Sequence, residues 1–262
     1  MLKKLIKYDL LKMFYTLPYF FIATIVFAGL TRLINIWKDI QFMFILGQIF
    51  QGTTIALIVN SLVNAFIGIL ILSFRFNFYG DESYLTHTLP VSKNQLYLSK
   101  FISAVITLLS TVVVAFLSLV IMFYSNDLIN FIKESLSLVL TGLNFSPIVL
   151  VVLVAIAILF QFLTMILIGF ATIVKGHTNN NGKVIKSFMW FAIFYVLSSI
   201  VSLIGVVIAL LISGNISEIF ATTMKVETFV ILIVTALIIY ACYVVAFYFI
   251  GNKLFNKGVN VD

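Results

Sequence analysis

The run TTIALIVNSLVNAFIGILILSF, residues 53–74, holds no charged side chain. The stretch that follows it, RFNFYGDESYLTHTLPVSKNQLYLSK at residues 75–100, is the most polar in the chain. The first is long enough to cross a bilayer as a helix, which takes about 20 apolar residues. The second cannot enter hydrocarbon. Side by side they predict a spanning helix that ends near Phe74 and gives way to a polar loop outside the membrane.

The rest of the chain repeats the first pattern. Of 262 residues 63% are hydrophobic and only 10% charged, and the mean hydropathy is +1.20. A soluble domain carries roughly 25% charged residues, so the solvent for most of this surface is lipid. The net charge of +7 is spread over short segments between apolar runs, which fits a membrane protein and excludes a nucleic-acid patch. The lone Cys242 lies inside an apolar run. It has no second cysteine for a disulfide and no metal-type spacing.

Six apolar runs reach spanning length, giving predicted spans at about 15–34, 53–76, 97–123, 147–174, 187–212 and 228–250. Their apolarity is continuous rather than alternating, which argues against a transmembrane barrel. The first run exceeds the 7–15 apolar residues of a signal peptide and is read as retained. The expected fold is therefore an all-α polytopic membrane protein, a single transmembrane domain over residues 1–262. Two apolar outer segments, Phe42–Phe50 and Leu128–Leu143, are left as surface, gate or re-entrant helices.

Lysine and arginine placement sets the orientation. With the N-terminus inside, the inner segments hold Lys3, Lys4, Lys7, Lys12, Arg75, Lys93, Lys100, Lys175, Lys183, Lys186, Lys253 and Lys257. The outer ones hold Arg32, Lys38, Lys133 and Lys225. Both termini are predicted to be cytoplasmic.

That orientation makes residues 75–100 the first cytoplasmic loop. Gly80 breaks the preceding helix and Asp81 is expected to cap a new one. On that helix Tyr84, Leu85, Thr88 and Leu89 share one face, with Glu82, Ser83 and His87 largely opposite. Pro90 stops it. Ser92–Lys93–Asn94–Gln95 then reads as a capping box opening the third span. The local pattern fits both an ordered surface helix and a solvated turn lying on headgroups.

Residues 1–14 form an uneven amphipathic segment: Leu2, Leu5, Ile6 and Met13 lie opposite Lys3, Lys4 and Lys7. Asp9 falls among the apolar positions, with Lys12 three residues on to neutralise it. An interfacial helix and a basic tail that sets topology both fit.

Several activities are excluded. No phosphate loop of the G-x-x-x-x-G-K-[ST] type exists in the chain, so any ATP hydrolysis belongs to another polypeptide. The spans as predicted carry no mid-membrane ionisable group, which disfavours ion coupling and voltage sensing. The two histidines, His87 and His177, both fall in loops, and His177 is expected in a solvated turn. No metalloprotease or serine-hydrolase motif occurs.

Three spans carry polar stripes. Thr53, Asn60, Asn64 and Gly68 lie along one face of the second; Gln161, Thr164 and Thr172 lie close together on the fourth; Ser198, Ser202, Gly205 and Ala209 form a small-residue ridge on the fifth. Amides in lipid need partners, so these faces are expected to turn inward. Thr53, Asn60, Asn64, Gln161 and Thr164 are candidates for a substrate path, and interhelical packing is the competing role.

The string Asp81-Glu82-Ser83-Tyr84-Leu85-Thr86-His87-Thr88-Leu89-Pro90-Val91-Ser92-Lys93, with Leu98-Ser99-Lys100 after it, resembles the first cytoplasmic loop of bacterial ABC-2-type transporter permeases. It is most similar to the six-span subunits of Gram-positive exporters, and the resemblance is specific over about 25 residues. Elsewhere it is one of architecture, with an N-terminal interfacial helix before six spans. The resemblance implies that residues 80–92 hold a coupling helix seated in a groove of a cytosolic ATPase. Asp81, Glu82, Tyr84, Leu85, Thr86, His87 and Leu89 would be the docking residues, with Tyr84, Leu85 and Leu89 as apolar anchors.

It further implies two ATPase copies that bind ATP and magnesium, no cofactor in this chain, and a second permease subunit. The location would be a bacterial plasma membrane and the cargo a peptide, antibiotic or lipid-like compound. A membrane scaffold without transport shares the hydropathy and the topology.

Overall fold

The computed structural model describes residues 1–37, 39–123, 147–178, 181–214 and 226–257, and every regular element among them is helical. Six of these helices are long and apolar enough to cross a membrane. The contacts divide the chain into two compact units, one within residues 1–128 and the other within residues 129–260.

The first unit opens with α1 (Leu2–Met13) and α2 (Leu17–Asn35), which has a proline in its first turn, where the missing N–H costs nothing. Helix α3 (Gln41–Ile67) runs without a break into a π-helical stretch, Gly68–Arg75, and then into α4 (Phe76–Tyr79). The outer segment 42–50 is thus part of one 39-residue helical rod rather than a separate element. At about 1.5 Å per residue, that rod exceeds the roughly 30 Å of hydrocarbon, so one end of it stands outside. The segment 128–143 lies outside the described residues.

Helix α5 (Ser83–Thr88) and the 31-residue α6 (Lys93–Phe123) complete the unit. The interior is lined by small and hydroxylated side chains, which let helices approach closely in lipid. Thr24, Ala28 and Thr31 of α2 are fully buried, as are Thr54 of α3 and Thr107 of α6. The Thr31 and Thr54 hydroxyls meet at 2.9 Å, and Phe27 stacks on Phe50 with ring centres 5.8 Å apart.

The second unit holds α7 (Pro147–His177), α8 (Lys183–Ile212) and α9 (Val226–Asn256). The stretch of α7 from Ile166 to Val174 is buried throughout. A Cβ at Gly176 would collide with the backbone of Ser187, so glycine is required where the chain reverses into α8. Gly205 lies close to Ile239, with only 2.7 Å from an added Cβ to Ile239 Cδ1, and this favours the packing role for the ridge of small residues. The expected solvated turn at His177 is not found. His177 ends α7, is 5% exposed, and places Nδ1 2.8 Å from the Ile173 carbonyl oxygen.

Candidate functional site

The polar loop folds into a braced knot between α1, α4, α5 and the start of α6. Phe74, Phe78 and Tyr97 are fully buried there. Phe74 meets Phe78 edge-on at 5.0 Å and Tyr97 edge-on at 5.9 Å. Gly80 turns the chain where a Cβ would lie 2.8 Å from the Phe76 carbonyl oxygen. His87 stacks on Phe78 at 6.1 Å, and its Nε2 is 3.2 Å from the Phe78 carbonyl oxygen. The α5 helix therefore leans on the aromatic end of the π-helical rod.

Two ion pairs hold α1 against this knot. Lys12 Nζ lies 2.7 Å from both carboxylate oxygens of Glu82. Asn77 Nδ2 donates to Glu82 Oε2 at 3.2 Å, and Thr86 Oγ1 lies 3.1 Å from Asn77 Oδ1. The hydrogen bond from Lys12 holds the Glu82 carboxyl below its ordinary pKa, against the partial burial that pushes it up. The second pair joins Asp9 to Lys100, both buried, with Ser99 Oγ 3.4 Å from Asp9 Oδ2 and the Lys100 ammonium 5.4 Å from the centre of the Phe78 ring. Met13, 2% exposed, closes the joint against Gly68.

Two expectations are corrected here. Asp81 does not cap α5: the helix begins at Ser83 with Glu82 in the cap position and no side-chain cap bond. Helix α5 turns Ser83 and Thr86 inward and leaves Tyr84, Leu85, Thr88 and Leu89 outward. Ser83 and Thr86 are buried, whereas Tyr84, Leu85 and Leu89 are 66%, 75% and 44% exposed. The polar side turns in because Lys12, Asn77 and the aromatic floor offer it partners. Finally, Asp9 pairs with Lys100 rather than with Lys12, and Lys100 is not a loop residue but lies eight positions into α6.

The capping box is half formed. Ser92 Oγ accepts from the Gln95 N–H at 3.4 Å as α6 begins. Leu89 is extended (ψ 138°), as the residue before a proline should be.

The expected path residues divide between the units. In the first unit Thr53 and Asn60 are exposed rather than inward, and Asn64 is half-buried. Asn64 Nδ2 donates to Asn60 Oδ1 at 2.8 Å, so the two amides satisfy each other in part. The face that packs is the neighbouring one, with Thr54, Ile58, Ser61 and Ala65.

In the second unit Gln161 and Thr164 of α7 come together on a cavity of about 200 Å³. Helix α8 adds Tyr195, Ser198, Ser199 and Ser202, and α9 adds Tyr240 and Tyr243. The Tyr243 hydroxyl donates to the Ser198 carbonyl oxygen at 2.7 Å and accepts from Ser202 Oγ at 3.2 Å. The tyrosines were missed in the sequence. Their signal was position: tyrosine in a spanning helix belongs at the interfacial ends, and these three sit mid-helix.

No family model, no curated protein and no solved structure matches the chain.

Proposed function

We propose that the chain is the membrane-spanning permease subunit of an ABC-2-type exporter, driven by a separate cytosolic ATPase. The observation that carries this reading is the exposed apolar triad of Tyr84, Leu85 and Leu89 on a braced helix between two spans. An apolar patch next to the membrane has three natural covers: lipid, its own chain, or a partner. Its own chain has turned the polar side of α5 inward instead. The loop also lies within the Lys/Arg-rich half of the segments between spans, which the positive-inside rule assigns to the cytoplasm. A cytosolic ATPase is a partner that reaches this position.

The bracing supplies the mechanics. A load on α5 passes to α1 through Lys12–Glu82 and to α4 through Asn77, and the Asp9–Lys100 pair locks α1 to α6. ATP-driven closure of an ATPase pair would then move the first unit as a body and shift the population of its conformations. Two permease copies on a two-fold axis would enclose the route. Thr53, Asn60 and Asn64 present amide and hydroxyl groups outward from the first unit, where a route between copies would need them. The cargo class is a peptide, antibiotic or lipid-like compound, and both termini face the cytoplasm of a bacterial cell.

The test is co-purification from native membranes, comparing wild type with the Leu85→Asp, Leu89→Asp double variant. The wild type retains a protein that carries a phosphate loop and hydrolyses ATP, and the variant loses it while remaining inserted and helical. Undiminished association of the ATPase with the variant would sink the proposal.

A further inference from the structure

The cavity between α7, α8 and α9 lies halfway along all three helices. Their bounds put the midpoints near residue 162 for Pro147–His177, 197 for Lys183–Ile212 and 241 for Val226–Asn256. Gln161, Ser198 and Tyr240 on the cavity wall each sit within about one residue of those points. Polar groups at that depth are costly unless they bond to something. Among the described residues, the wall holds no aspartate, glutamate, lysine, arginine or histidine.

Its hydrogen-bonding capacity is only partly used. Thr164, Ser198 and Ser199 each give their hydroxyl proton to a carbonyl of their own helix, which leaves oxygen lone pairs open to a donor. Gln161, Tyr195 and Tyr240 make no side-chain hydrogen bond among the described residues, so amide and phenol groups remain for both donors and acceptors. Gln161 and Tyr195 are exposed, so the cavity opens on the side of the helices. One helical turn from Gln161, Ile158 of α7 is also exposed, as is Val196 of α8 beside Tyr195 in the chain.

We propose that this cavity binds the uncharged polyhydroxyl head group of an amphiphile whose tail stays in the lipid beside the helices. Neutrality follows because no described wall residue is charged, and an unpaired ion at mid-membrane depth is strongly disfavoured. Several hydroxyls are required because the wall offers donor and acceptor groups on all three helices. The volume of about 200 Å³ takes roughly six water-sized groups at about 30 Å³ each, which is the size of a glycerol head. Lateral opening onto apolar surface is what a ligand arriving through the bilayer needs. The proposal deepens the transport reading and rests on it for the fate of the ligand, but binding itself needs no ATPase.

The test uses the full chain in phosphatidylcholine nanodiscs and a monoacylglycerol carrying a diazirine near its head. Saturable photolabelling of α7–α9 peptides is expected, displaced by unlabelled monoolein and not by oleate, which has the same tail and a charged head. Gln161→Leu should weaken labelling about twofold to tenfold, the worth of one net hydrogen bond. Ser199→Phe, at an exposed position on the rim, should block it further without unfolding the chain. Labelling that is unsaturable, or displaced equally by oleate, overturns the proposal. Because no ATPase is present, these results are read separately from the docking of Tyr84, Leu85 and Leu89.

Discussion

Asp9 and Lys100, 91 positions apart in the chain, form a buried ion pair that ties the N-terminal helix to the third span. An isolated charge in such a place is expensive, so removing one partner costs about 3–5 kcal/mol, whereas an apolar pair of similar volume is close to neutral. Asp9→Asn should therefore lower the thermal unfolding midpoint in detergent sharply. The Asp9→Leu, Lys100→Met double variant should recover most of the loss. A double variant as unstable as the single one would mean that the pair itself, and not the orphaned charge, is what matters.

The Lys12–Glu82 pair has a different character, since the two side chains are 30% and 50% exposed. Its worth is at most about 0.5 kcal/mol. Because the folded carboxyl titrates below its free value of 4.5, the contribution is complete at neutral pH and is lost as pH falls through the folded value. The small stability gap between wild type and Glu82→Gln should accordingly be present at pH 7 and close in acid below 4.5. Amide hydrogen exchange on α5, followed against pH, measures it. A gap that widens in acid would contradict the assignment.

Ser83 is fully buried, and its hydroxyl has no hydrogen-bond partner among the described residues. An unsatisfied buried hydroxyl costs about 1–3 kcal/mol. Ser83→Ala should stabilise the loop by about 1 kcal/mol, read as slower hydrogen exchange through α5. Destabilisation would show that the hydroxyl has a partner.

Asn60 and Asn64 bond to each other on an outward face. Asn60→Leu with Asn64→Leu should leave the unfolding midpoint of the chain within about 0.5 kcal/mol of wild type. If they line the proposed route, the change should lower substrate-stimulated ATP hydrolysis while the complex with the proposed ATPase still assembles. Loss of assembly would identify them as contact residues between copies.

Much of the fold was legible in the sequence because lipid imposes a simple rule: residues 53–74 and their five counterparts could only be membrane helices. The start of α6 was legible for a local reason, since Ser92 and Gln95 carry their own cap. What escaped was set by contacts between distant positions. The orientation of α5 follows from Asn77 and Lys12, not from its own pattern, so a wheel that groups Tyr84 with Leu85 identifies a face but not what covers it. Asp9 looked like a flaw in an amphipathic helix until Lys100 was placed beside it. Gln161 and Thr164 were found on one helix, but no single-helix pattern shows that Ser198 and Tyr243 converge on them.

The central claim is that α5 is covered by an ATPase on the cytoplasmic side, and one thiol measures it directly. Cys242 is the only cysteine, so Leu85→Cys in a Cys242→Ala background gives a single reporter on the exposed face of α5. A membrane-impermeant maleimide applied to inside-out vesicles should label it rapidly when the chain is expressed alone and several-fold more slowly when the proposed ATPase is bound. Equal labelling in both conditions, or labelling only from the outside of intact cells, would contradict the account.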